Sequence, residues 1–171
     1  MLPELTTNQK GIVAESAITH EAAKLGIVVS RPLVDAPYDL ILDLSQGLLR
    51  VQCKWALRQG DVVVVRCRRC RRARTGLLHR GYTLGEIDAI AAYCFEINTC
   101  YLLPLEMSVG RAAVQLRLNA PRNNQRTKIN WAWEFELAAR LGVPGPIAQL
   151  GERQHGMLEA AGSSPAGSTP R

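Results

Sequence analysis

Asp39 and Lys54 stand in the two arms of PYDLILDLSQGLLRVQCKW, residues 37–55, whose remaining residues read as a buried β-hairpin. Placing Gln46 and Gly47 at the centre of its turn pairs Ser45 with Leu48, and therefore Asp39 with Lys54. Gln52 lies two residues before Lys54 and shares its face of the strand. The Asp39 carboxylate, the Gln52 amide oxygen and the backbone carbonyl of Cys53 are hard oxygen donors. They suit Mg²⁺ or Mn²⁺, with the remaining positions left to water and phosphate. A cation there acidifies a water, and the Lys54 ammonium would position that water or offset charge on a phosphorane. The set suits hydrolysis of a phosphodiester. An Asp–Lys pair also serves as a purely structural ion pair, and spacing alone leaves both readings open.

A helix is predicted over residues 5–26, with Ala14, Ile18, Ala22 and Leu25 on its apolar stripe, Thr7 or Asn8 at its cap and Gly26 at its end. Glu15 flanks that stripe and is a candidate to reach the same metal. Gly11, one turn earlier, costs about 1 kcal/mol of helix stability relative to alanine. Its expected reason is the close approach of a backbone or a phosphate. IVVSRPL is a short strand that Pro32, unable to donate to a ladder, confines to an edge or an end. YDLILDL, LLRVQCKWAL and DVVVVRC follow as strands. Further strands are expected at IDAIAAYCFE and TCYLLPLEM, joined by a turn at Asn98 and Thr99, and at AAVQLRL. NWAWEFELAARLG reads as a closing helix. Nearly continuous apolar strands belong to a sheet covered on both faces.

The chain of 171 residues carries a net charge of +6, and only four of its 21 basic residues are lysine. Arginine's planar fork favours phosphate, so the bias fits a nucleic-acid partner. Residues 66–74, RCRRCRRAR, hold six arginines in nine positions. Arg66, Arg68, Arg69, Arg71, Arg72 and Arg74 are candidate DNA contacts on what reads as an irregular stretch up to Glu86. Arg80, Arg122, Arg126 and Lys128 would extend that surface. Five cysteines argue against a disulfide framework. Cys67 and Cys70 form a C-x₂-C pair that Cys94 and Cys100 would complete into a zinc site, although the latter two equally fit buried strand positions. Without a signal-peptide pattern or a membrane-length apolar run, the expectation is a soluble, cytoplasmic, nucleoid-associated protein with no membrane partner. Residues 1–144 read as one domain. From residue 145 onward the chain resembles a translated transfer-RNA gene and is expected to be disordered.

QKGIVAESAITHEAAKLG, followed by PYDL and VQCK, resembles the PD-(D/E)XK nuclease superfamily, in the branch of bacterial group I intron homing endonucleases. The matching positions are Lys10, Gly11 and Glu15, then Pro37 to Leu40, then Val51 to Lys54. Gln52 departs from the acidic residue of the wider superfamily but agrees with this branch. YTLGEIDAIAAYC and CYLLPLE also resemble the branch, whereas residues 108–144 match nothing. The resemblance implies an α/β restriction-endonuclease-like core, a central mixed β-sheet flanked by helices, Mg²⁺ dependence, double-stranded DNA as substrate and a homo-oligomer, dimer or tetramer. The alternatives are a structure-selective nuclease of Holliday-junction-resolvase type and an inactive nucleic-acid-binding relative.

Overall fold

The computed structural model describes residues 4–73, 76–120 and 128–142, with the backbone alone described for residues 71–73, 77 and 78. Helix α1 (Thr7–Lys24) starts in a capping box: the Thr6 hydroxyl accepts from the Gln9 N–H, and the Gln9 side chain accepts from the Thr6 N–H. The cap is therefore Thr6 rather than Thr7 or Asn8, because only a residue three positions before a Glu or Gln closes this reciprocal pair. Gly26, at φ +77°, ends the helix just past its last turn, as expected.

The strands are β1 (Val28–Ser30), β2 (Leu40–Leu44), β3 (Gly47–Gln59), β4 (Val62–Arg66), β5 (Arg68–Ala73), β6 (Gly76–Gly81), β7 (Ala89–Cys94), β8 (Thr99–Pro104) and β9 (Ala113–Arg117). Seven of them form one mixed sheet in which β3 is the trunk. It pairs antiparallel with β2 through Gly47–Val51, parallel with β7 through Val51–Ala56, and antiparallel with β4 through Leu57–Gln59. β1 lies at the edge of the sheet and ends before Pro32. One face is covered by α1, whose Ala14, Ile18 and Ala22 pack with Leu40, Leu42, Val51, Ala91 and Leu102. On the other face Ile90 and Leu103 share a second core with Val63, Val65, Val114 and Leu116 of β4 and β9. Both faces are thus apolar, which is why these strands lack alternation.

Two expectations about local structure change. The arginine-rich stretch is not irregular: β5 and β6 form a separate two-stranded antiparallel ribbon, with Arg69 opposite Arg80. Its strands carry no apolar alternation, and so the pattern gave no strand signal. The closing segment is not one helix. A 3₁₀ turn over Ala132–Phe135 is followed by α2 (Leu137–Arg140), with extended backbone at Glu136. The break sends Phe135 into one core and Leu137 into the other, so the segment wraps the sheet's margin. Trp131 bridges to Arg117 of β9 and Glu136 to Tyr101 of β8.

Candidate active site

The β2–β3 turn centres on Ser45 and Gln46, not on Gln46 and Gly47: Leu44 pairs with Gly47 and Leu40 with Val51. Gly47, at φ +132°, follows the turn. Moving a turn by one residue moves the register by two, a full pleat, so every side chain keeps its face. Asp39 therefore does not face Lys54. It lies just past the last β2–β3 pair, next to Gln52, with Lys54 one pleat further along the same face.

This places Asp39 where β2 leaves β3 and β3 continues beside β7 alone. The Asp39 N–H donates to the Val51 carbonyl at 2.9 Å. Its Oδ2 accepts from the Cys53 N–H at 2.7 Å and from Gln52 Nε2. Gln52 Nε2 also lies 3.4 Å from the Cys53 carbonyl oxygen. The amide's positive end thus sits between two oxygens, the place a cation would take. The Cys53 side chain points the other way, into the α1 core, where burial pushes its thiol up and out of reach of ionisation. Only its backbone serves the site.

Glu15 is held at 2.9 Å by Arg31, an ion pair that sequence reading missed. Burial, and then the charge of Asp39, raise the Glu15 carboxyl above its ordinary value against the pull of Arg31. Burial likewise raises Asp39, against the Cys53 N–H, Lys54, Arg31 and Arg69. Both carboxyls are raised chiefly by desolvation, so a cation placed between them would favour their charged forms. With the Gln52 amide turned to bring its oxygen where Nε2 now lies, and with the Cys53 carbonyl, the donor set would be all oxygen and would fit a hard divalent cation. Among the described residues, a Cβ at Gly11 would meet nothing within 4 Å, so no close backbone approach within them accounts for this glycine.

Lys54 Nζ lies over the Tyr82 ring at 5.1 Å from its centroid, and the Arg69 guanidinium lies over the same ring at 5.2 Å. Tyr82 belongs to a short link, residues 82–88, that is locked onto β3. The Asp88 carboxylate accepts from the Arg50 N–H, Nε and Nη2, and Arg50 also donates to the Gly85 and Leu84 carbonyls. Glu86 accepts from Arg80 at 2.7 Å and from the Thr83 N–H and hydroxyl. Arg50, Tyr82, Glu86 and Asp88 thus position the lysine and the ribbon. Tyr82 and the I-D that opens β7 carried part of the resemblance, but partners 38 residues apart cannot be paired from spacing.

Of the candidate DNA contacts, Arg66 and Arg68 are exposed, and Arg69 is half-buried against Tyr82. Arg71 and Arg72 lie on β5 with their side chains outside the described set, and Arg74, Arg122 and Arg126 fall outside the described residues. Lys128 is exposed and lines a cleft of about 360 Å³ with Arg111 and Arg117, beside β9 and away from Asp39. The four cysteines do not converge into a zinc site. Cys67 and Cys94 are in one core, Cys100 is in the other and Cys70 is exposed. Among the described residues no group of three or more His, Cys, Asp or Glu side chains could hold a metal. A centre at Asp39 therefore has to use the amide and the main-chain carbonyl.

No curated protein matches the chain. Among solved structures, the bacterial homing endonuclease I-Ssp6803I is similar, at 27% identity and a TM-score of 0.63 over 88% of this chain and 99% of that one. A model of the PD-(D/E)XK endonuclease family matches residues 5–138, spanning α1, the β2–β3 fork, the ribbon and the closing segment. The order of helix, fork and lysine-bearing trunk strand, together with that match, places the chain in the PD-(D/E)XK endonuclease family.

Proposed function

We propose that this endonuclease hydrolyses DNA phosphodiester bonds with a divalent cation, Mg²⁺ or Mn²⁺, held by Asp39, Gln52, the Cys53 carbonyl and Glu15. The observation that carries the proposal is the fork: a desolvated carboxylate, a side-chain amide and a main-chain carbonyl meet where one strand leaves another. When bound, the cation supplies Lewis-acid charge to a phosphate oxygen and lowers the pKa of a water. Asp39 orients the donor set through its bond to the Cys53 N–H. Lys54 presents its ammonium on the face shared by Asp39 and Gln52, steadied by the Tyr82 ring, and offsets charge developing on the phosphate. Glu15 joins the set by giving up part of its bond to Arg31. Arg66, Arg68, Arg71, Arg72 and Arg74 grip flanking phosphates from the ribbon side, with Arg122, Arg126 and Lys128 as further contacts.

Plasmid nicking with Mg²⁺ or Mn²⁺ beside Lys54→Ala tests the reading. Cleavage by the wild type that falls by about 10²–10³-fold in the variant is expected. Cleavage of no DNA, or equal cleavage by both proteins, would refute it. The similarity to I-Ssp6803I favours a homing role, in which one long duplex site is cut by a homo-oligomer. Preferential cutting of four-way junctions regardless of sequence would instead point to the resolvase-type alternative.

A further inference from the structure

We propose that Arg69 is a second catalytic cation, contacting the scissile phosphate beside Lys54 and distinct from the arginines that grip flanking phosphates. The inference rests on the nuclease reading and deepens it. Arg69 and Lys54 come from different sheets, yet both lie over one face-bearing ring, Tyr82, at 5.2 and 5.1 Å from its centroid. Two cations gathered on one ring repel unless an anion joins them. Glu86 is the anion at hand, but it does not satisfy Arg69. Its Oε1 is 3.6 Å from Arg69 Nη2, too long for a hydrogen bond, and is already bonded by Arg80 at 2.7 Å. Arg69 Nη2 is buried with no hydrogen-bond partner among the described residues. A buried donor without a partner is unfavourable, so the structure holds this guanidinium in place at a penalty.

The rest of the Arg69 side chain remains accessible, at 36% exposure. Ring and carboxylate fix the guanidinium's position without using its fork of donors. That leaves its remaining N–H donors for the oxygens of a phosphodiester. Sharing the Tyr82 ring with Lys54, which lies on β3 two residues beyond Gln52, keeps the guanidinium near the fork of β2 and β3 and not out along the ribbon. Its cross-strand partner Arg80 is tied to the same Glu86, and Glu86 belongs to the link locked by Arg50 and Asp88. The ribbon is therefore docked so that one of its arginines serves the reacting centre. In the hydrolysis a water oxygen bonds to phosphorus, one P–O ester bond breaks, the water's proton leaves to solvent and the departing oxygen gains one. Arg69 would neutralise the extra negative charge on the non-bridging oxygens.

The experiment is single-turnover cleavage of plasmid DNA with full-length enzyme in saturating excess and Mg²⁺, alongside equilibrium binding to the same DNA with Ca²⁺ in place of Mg²⁺. Wild type, Arg69→Ala and Arg69→Lys are compared. The saturated rate should fall about 10²–10³-fold in Arg69→Ala, with affinity changed less than about threefold, and Arg69→Lys should recover part of the rate. A saturated Arg69→Ala rate equal to wild type, or a loss confined to affinity, overturns the assignment while the nuclease reading stands. Loss of DNA binding together with the folded spectrum in Arg69→Ala shifts the decision to Arg69→Lys, whose full wild-type rate would equally overturn a role that needs the planar fork. A wild type that cuts no DNA overturns the nuclease reading and this inference with it.

Discussion

Asp39→Asn should separate the stability of the metal-free protein from its response to metal. The carboxylate is desolvated at the fork, and burial outweighs the Cys53 N–H and the nearby cations, so the neutral form gains on folding relative to the charged one. Asparagine is neutral and keeps an oxygen for the Cys53 N–H. The variant should be at least as stable as wild type at pH 7 without divalent cations. With cations the order reverses. A ligand that binds only the folded state at a hundred times its dissociation constant adds about 2.7 kcal/mol. For a domain of this size that corresponds to a Tm rise of roughly 8 °C. Thermal unfolding followed by circular dichroism, with EDTA and then with Mg²⁺ or Mn²⁺ titrated in, reads both quantities without any cleavage step. Wild type should climb with cation, and Asp39→Asn should stay flat. An equal metal-dependent rise in both proteins would show that the cation binds elsewhere, and the assignment of the fork would fall.

Because Asp39 and Glu15 hold their protons more tightly folded than unfolded, their contribution to metal-free stability should be greatest below their ordinary values of 3.8 and 4.5 and be lost as pH rises through their raised folded values. The urea midpoint of wild type relative to Asp39→Asn/Glu15→Gln should fall across that range; a difference that does not change with pH would contradict this. Gly11→Ala should stabilise the fold by about 0.5–1 kcal/mol, since a Cβ there is unopposed; a loss of stability in chemical denaturation would contradict this. Arg50→Ala strips two side-chain donors, Nε and Nη2, from Asp88 and frees the link that carries Tyr82 and Glu86, so it should cost about 1.5–3 kcal/mol and lower cleavage as well. A stability loss with full activity retained would show that the link does not position Lys54.

Local chemistry was legible in the residues themselves. The stop of α1 at Gly26, the edge position of β1, the strands of the main sheet and the face shared by Gln52 and Lys54 all depend on φ, on a missing donor or on a period of two. These are properties of neighbours along the chain. Even the displaced β2–β3 turn left the faces intact, because registers shift by whole pleats when a turn slides by one residue. What the tertiary structure decided was everything set by distance across the fold. Asp39 meets Gln52 and not Lys54, the arginine run forms a ribbon, and Cys94 and Cys100 occupy opposite cores. Arg31 holds Glu15, Asp88 holds Arg50, and Tyr82 gathers Lys54 with Arg69. Charges and rings carry no periodicity that marks their partners. Their pairing is fixed only when the trunk strand β3 sets β2, β7 and the ribbon side by side, and electrostatics then acts through space between groups far apart in sequence.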